Sequence, residues 1–223
     1  MIKIAIDGPS GAGKSTVAKA LSKRLGIVYV DTGALYRTVG YFVRQNSVNP
    51  KDAEAVASLL PRVNIEVKYE DGTQRVYLNG EDLGDRIRQP EMSMYASAVS
   101  AIPAVRAFLL DTQRDIAKKN SVVMDGRDIG TVILPDAEVK IFMFASSEAR
   151  AKRRYKELLE KGETVVYETV LAEMIERDNN DRNRDVAPAI PAEDAVHLDN
   201  SDMGIEESVD AILAIIADKG YSV

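Results

Sequence analysis

The chain has 223 residues, a formal net charge of −6 and 45% hydrophobic residues, enough apolar material for a sizeable core in one domain or a domain with an inserted piece. The acidic balance argues against a broad nucleic-acid surface, the absence of cysteine excludes disulfides and thiolate chemistry and fits a reducing cytoplasm, and the single histidine, His197, reads as a satisfied residue near a strand rather than an acid–base catalyst. No apolar run is long enough to span a membrane, and the short run at the N-terminus lacks the build of a signal peptide.

That first run, Ile2 to Ile6, has the continuous apolar character of a buried parallel strand. It feeds Gly8-Pro9-Ser10-Gly11-Ala12-Gly13-Lys14-Ser15, the G-x-x-x-x-G-K-[ST] pattern of a phosphate-binding P-loop, and Ser15 to Leu25 continues with helical spacing. The glycines let backbone N–H groups curl inward as an anion nest, and the helix adds its N-terminal amides and dipole. Lys14 offers a charge to the β- and γ-phosphates and Ser15 a hydroxyl to Mg²⁺, so residues Gly8 to Thr16 form the candidate ATP-binding set. Gly26 ends the helix.

Ile27 to Val30 reads as a second strand, Asp31-Thr32-Gly33 as a turn, and Ala34 to Arg44 as a helix; a shorter helix opens at Pro50-Lys51-Asp52. The period then changes. Val63 to Val67 and Arg75 to Leu78 alternate, with turn signals at Asp71-Gly72 and Asn79-Gly80, which predicts an antiparallel insertion over about 64–86. Helices follow at about Glu91 to Ser100 and at Pro103 to Lys119. Strands are expected at Ser121 to Asp125, Val139 to Phe144 and Val196 to Leu198, with helices at Ser147 to Leu159, about Val166 to Arg184, and Ile205 to Lys219. Strands alternating with helices give a parallel sheet covered on both faces, with ligands at the carboxyl ends of its strands.

Several groups at those ends carry chemistry. Asp125 closes an apolar strand, and a carboxylate there serves either as a turn residue or as a Mg²⁺ ligand through water. Arg127 is placed to span oxygens of a phosphoryl donor and acceptor, the alternative being a surface pair with Asp128. Thr32, Tyr36 and Arg37 suit a second phosphate, or are plain helix residues. Arg177, Asp181 and Arg184 share a helical face and on spacing alone read as a solvated ion-pair surface; Arg150, Arg153 and Arg154 share another, either solvated or part of a mobile lid that folds over the triphosphate.

Together these segments resemble the bacterial cytidylate kinases of the nucleoside-monophosphate kinase group. The matching runs are Asp7 to Ser15, Asp31 to Arg37, Asp125-Gly126-Arg127-Asp128-Ile129-Gly130-Thr131, and Arg177 to Arg184, in the family's order over essentially the whole chain. The resemblance implies a P-loop fold with five parallel strands in the order 27–30, 121–125, 2–6, 139–144, 196–198, helices on both faces and the antiparallel insertion. It implies a core over about 1–30, 103–149 and 187–223, and a monophosphate-binding region over about 31–102. A mobile ATP lid over about 150–162 leads into the Arg-rich helix to 186. It also implies transfer of a phosphoryl group from ATP to CMP or dCMP with Mg²⁺ held by Ser15 and Asp125. Lys14, Arg127, Asp128 and Arg153 then form the catalytic set. Arg37, Arg127 and Arg184 hold the acceptor phosphate, with Thr32 and Tyr36 beside it. Ser97, Arg106 and Asp128 read cytosine, and Arg177 and Asp181 lie near the ribose. Such an enzyme is expected to be cytoplasmic and monomeric, with small-molecule substrates and neither a nucleic-acid polymer nor a membrane as partner. A P-loop kinase for another monophosphate or for shikimate is the alternative. A GTPase switch is disfavoured, since no D-x-x-G or N-K-x-D is present.

Overall fold

The computed structural model describes residues 1–70 and 72–221. Strand β1 (Lys3–Asp7) leads into helix α1 (Lys14–Leu25), then β2 (Val28–Asp31) and α2 (Thr32–Gln45). Helix α3 (Ala53–Leu59) precedes β3 (Ile65–Glu70), β4 (Thr73–Leu78) and the two-residue β5 (Glu81–Asp82). Helices α4 (Pro90–Ser100) and α5 (Pro103–Lys119) come next, followed by β6 (Val122–Gly126), β7 (Val139–Phe144), α6 (Ser147–Glu160), α7 (Tyr167–Asn183), β8 (Val196–Asp199) and α8 (Ile205–Asp218).

The main sheet has the order β2-β6-β1-β7-β8, as the alternating pattern and the resemblance imply, with the P-loop strand in the centre. Strand β1 is parallel to β6, Ile4 opposite Val123, and to β7, Ile6 opposite Ile141. The inner strands of a parallel sheet are buried by the layers packed on both its faces, and Ile4, Ala5, Ile6, Val122, Val123 and Met124 are all fully buried. The second sheet, β3-β4-β5, is antiparallel, with Val67 opposite Val76. Gly72 sits at φ +72° in its first hairpin connection, while Asp71 of that predicted turn lies outside the described residues.

By its contacts the chain divides into two compact units, Met1–Ile27 with Val122–Val223, and Val28–Ser121. The first holds β1, β6, β7 and β8; β2 is the opening element of the second. Helix α5 belongs to the second unit, whereas the expected core range of 103–149 groups it with the sheet. Its Val105 and Leu109 explain the difference, because they are fully buried in one apolar cluster with Leu35, Val39, Val56 and Met92. In the first unit a smaller cluster of Ala151, Leu158, Val170 and Met174 joins α6 to α7. Among the described residues no single helix is long and apolar enough to cross a membrane.

His197 lies exposed on β8 against the rings of Phe142 and Phe144, at 5.7 and 6.3 Å between centroids, in keeping with a satisfied strand residue.

Candidate functional site

Within the first unit the carboxyl ends of β1, β6, β7 and β8 carry the P-loop, Asp125 to Asp128, Ala145 and Asn200. Gly8 has φ +149°, and a Cβ there would stand 1.9 Å from the Met143 carbonyl oxygen, so only glycine fits where the loop leaves β1 against β7. Gly13, at φ +86°, is the N-cap of α1 and offers no side-chain cap, which leaves the amides of the first turn to a ligand.

Lys14, buried, donates from Nζ to the Pro9 carbonyl at 2.7 Å. Burial drives its ammonium down to about 7, Arg127 pushes the same way, and Asp125 and Asp7 oppose. Ser15 Oγ donates to Asp125 Oδ2 at 2.8 Å, so a hydroxyl and a carboxylate converge on one point. Two hard oxygen donors at the edge of a phosphate loop fit Mg²⁺, which takes the rest of its shell from water and phosphate oxygens. No cluster of three His, Cys, Asp or Glu side chains suited to a metal occurs among the described residues.

Asp7, the last residue of β1, was missed by the sequence reading as a site residue. Its two carboxylate oxygens accept from the Ile129 and Gly130 amides at 2.8 and 2.7 Å. Burial pushes this carboxyl up to about 7, against the Gly130 and Ile129 amides and with help from Asp128. These bonds fix the start of a π-helical turn, Ile129–Ile133, and with it the position of Asp128 immediately before it.

Asp128 is buried, and its Oδ1 lies 3.8 Å from Arg184 Nη2. Arg127 Nε donates to Asp181 Oδ2 at 2.9 Å. Burial alone would raise the Asp181 carboxyl, but Arg127, Arg177 and Arg184 outweigh it and hold it below the usual carboxylate range. Of the predicted residues in this unit, Arg127, Asp128, Arg177, Asp181 and Arg184 therefore form one interacting group of alternating charge. They are not a solvated helix face.

The remaining arginines fall elsewhere. Arg153 donates to the Asn200 and Ser201 carbonyls at 2.6 and 3.0 Å. Arg150, expected at the start of a mobile lid, is only 3% exposed. It donates to the carbonyls of Ser10 and Ala145, to Ser147 Oγ and to Asp178 Oδ2. The sequence shows only that Arg150 and Arg153 share a helix face; that this face turns inward depends on residues 140 and 47 positions away.

In the second unit, Asp31 caps α2 by accepting from the Ala34 amide at 2.8 Å and pairs with Arg37 at 2.9 Å. Gln74 of β4 clasps the Asp31 backbone, accepting from its N–H at 2.8 Å and donating to its carbonyl at 3.1 Å. No local signal marked Gln74 for that role. Thr32 and Tyr36 are buried on α2. Arg106 donates to the Ser100 carbonyl at 3.1 Å and lies over the Tyr36 ring, 5.6 Å from its centroid. Ser97 is half-buried on α4.

A family model described as Cytidylate kinase matches residues 4–218. The chain is 50% identical over 214 residues to a Cytidylate kinase of Caldicellulosiruptor bescii, covering 96% of this chain and 95% of that one. It is 51% identical over 217 residues to a Cytidylate kinase of Fervidobacterium nodosum, covering 97% of each. A crystal structure of an uncharacterized protein from Eubacterium ventriosum aligns with a TM-score of 0.52 at 16% identity, over 97% of this chain and 99% of that one, a likeness of fold alone.

Proposed function

The chain belongs to the cytidylate kinase family of nucleoside-monophosphate kinases, and from that premise we propose that it transfers the γ-phosphoryl group of ATP to CMP or dCMP, giving ADP and CDP or dCDP, in the presence of Mg²⁺. The observation that carries the reading is the group in which half-buried Arg127, Arg177 and Arg184 surround buried Asp181 and Asp128, in the same unit as a P-loop whose lysine is depressed by burial and by Arg127.

The attacking oxygen belongs to the acceptor phosphate, which is anionic at neutral pH and needs no protein base. The protein's work is positioning and charge neutralisation. Lys14 and the P-loop residues Gly8 to Thr16, through the backbone N–H groups of all but Pro9, hold the donor phosphates. Asp181 fixes the plane of the Arg127 guanidinium through Nε, so its terminal nitrogens can bridge donor and acceptor oxygens. Arg37 and Arg184 bind the acceptor phosphate, beside Thr32 and Tyr36, and Arg153 joins the catalytic set. Bound with ATP and held on the protein side by Ser15 and Asp125, Mg²⁺ would neutralise charge on the β- and γ-phosphates.

Cytosine selection is assigned to Asp128, Arg106 and Ser97, and the ribose to Arg177 and Asp181. A carboxylate accepts from the cytosine amino group at N4 and repels the O4 of uracil, while an arginine donates to N3 or O2; uracil then leaves buried groups unpaired. A soluble enzyme acting alone on these two small substrates in the cytoplasm accords with the reading. The test is ADP release with MgATP and, in turn, CMP, dCMP, UMP, AMP, GMP and shikimate. CMP and dCMP are expected to lead, and equal turnover of all acceptors would refute the assignment.

A further inference from the structure

A phosphate nest requires that several peptide units present N–H to the ligand, yet glycine peptides flip easily. Two peptides inside this P-loop precede glycines: Ser10–Gly11 and Ala12–Gly13. Each has its carbonyl held from outside by a buried side chain. Arg150 Nη1 donates to the Ser10 oxygen at 2.8 Å, and Asn200 Nδ2 donates to the Ala12 oxygen at 2.8 Å. The described chain has no cis peptides, and in a planar trans unit the N–H points opposite to the C=O. Pinning those two carbonyls therefore turns the Gly11 and Gly13 N–H groups away from the braces.

Both braces are themselves anchored. Arg150 and Asn200 are each 3% exposed. The Arg150 fork is shared with Ala145 O at 2.9 Å, Ser147 Oγ at 3.1 Å and Asp178 Oδ2 at 2.6 Å, and Asp178 neutralises a cation that would otherwise be costly to bury. The Asn200 amide donates to the Phe144 carbonyl at 2.8 Å, and its own carbonyl is held by Arg153. Asn200 Oδ1 is buried without a hydrogen-bond partner in the structure, so the side chain is held there for its donor alone.

The geometry points to Arg150 and Asn200 as positioning residues that set the amide orientation of the phosphate nest, acting through the P-loop carbonyls and touching no substrate. The inference rests on the triphosphate reading of that loop, but not on the identity of the phosphoryl acceptor. It also gives a use to Asp178, which holds Arg150 against the loop from α7.

Two variants test it. Arg150→Lys keeps the charge and removes the fork. Asn200→Leu keeps the approximate volume and removes the donor, so the Ala12 carbonyl loses its brace. The probe is tripolyphosphate without Mg²⁺, which engages the nest and has no nucleoside, titrated calorimetrically well below the measured Tm of each ligand-free variant. Each variant is expected to bind tripolyphosphate about tenfold or more weakly than the parent, the cost of one misdirected charge-assisted bond. The Gly11 and Gly13 amide resonances, displaced by tripolyphosphate in the parent, are expected to move less in the variants. A role in stability alone would lower Tm and leave the affinity of the folded protein unchanged; that result, in either variant, overturns the inference. Failure of the parent itself to bind tripolyphosphate would strike the triphosphate reading and the inference with it.

Discussion

Removal of the Asp128 carboxylate separates base reading from phosphoryl transfer. Asp128 is almost fully buried, so a bond from it to the cytosine amino group would be made out of water, where a charged acceptor contributes about 1.5–3 kcal/mol. At about 1.4 kcal/mol per tenfold, Asp128→Ala is expected to lower kcat/KM for CMP by about 10- to 150-fold. The same change lifts the repulsion that excludes uracil, so activity with UMP falls less or rises. The neighbouring Arg184, 3.8 Å away, loses a partly compensating charge and becomes more attractive to any monophosphate. That effect is common to CMP and UMP and cancels in their ratio. ATP affinity, set by the P-loop, is expected to stay nearly constant. The assay is steady-state kinetics on both monophosphates at saturating MgATP, mutant against parent. If Asp128 merely orients Arg127 or Arg184, both acceptors lose activity by one factor, and an unchanged CMP:UMP ratio refutes base reading by this residue.

Three further outcomes are expected. Gly8→Ala puts a Cβ 1.9 Å from the Met143 carbonyl at a positive φ, so it should abolish nucleotide binding or folding; a variant with parental Tm and ADP affinity would contradict the loop geometry. Asp181 titrates below its ordinary 3.8 in the folded chain, so its contribution is fully present above about pH 4 and is lost as pH falls; the stability gap between parent and Asp181→Asn in urea should be widest near neutrality and narrow at acid pH. Lys14, lowered to about 7, is largely neutral at pH 8 in the free chain, and a bound polyphosphate restores its charge; Mg-free ADP binding at pH 8 should therefore take up a proton, seen as buffer-dependent heat. Lys14→Arg should show none of this uptake, and buffer-independent heat in the parent would contradict the depressed ammonium.

The parts of the fold that repeat along the chain were legible in the amino-acid sequence. Apolar runs and helical spacing locate the main strands and helices, Pro103 and Gly26 mark a helix start and end, and the change of period at Val63 marks the antiparallel sheet. The two-residue β5 and the π-helical turn at Ile129–Ile133 were not expected: the first is too short for a period, and the second interrupts an apolar stretch without a distinctive residue. Site residues embedded in motifs could be named, whereas those defined by long-range contact could not. Asp7 lies inside the motif but bonds to amides 122 and 123 positions away. Asn200 follows the last strand of the sheet and reaches Ala12 across 188 residues. Arg150 has the same local surroundings as an exposed helical arginine, and only the closeness of Ser10 and Asp178 shows why it is buried.

The most direct measurement follows the transferred group itself. Phosphorus NMR of the protein with MgATP and CMP should show the γ resonance of ATP declining as the β resonance of CDP grows in equal amount, with no inorganic phosphate. Loss of the γ resonance to inorganic phosphate, or no change in the presence of CMP, would contradict the assignment of this chain as a cytidylate kinase.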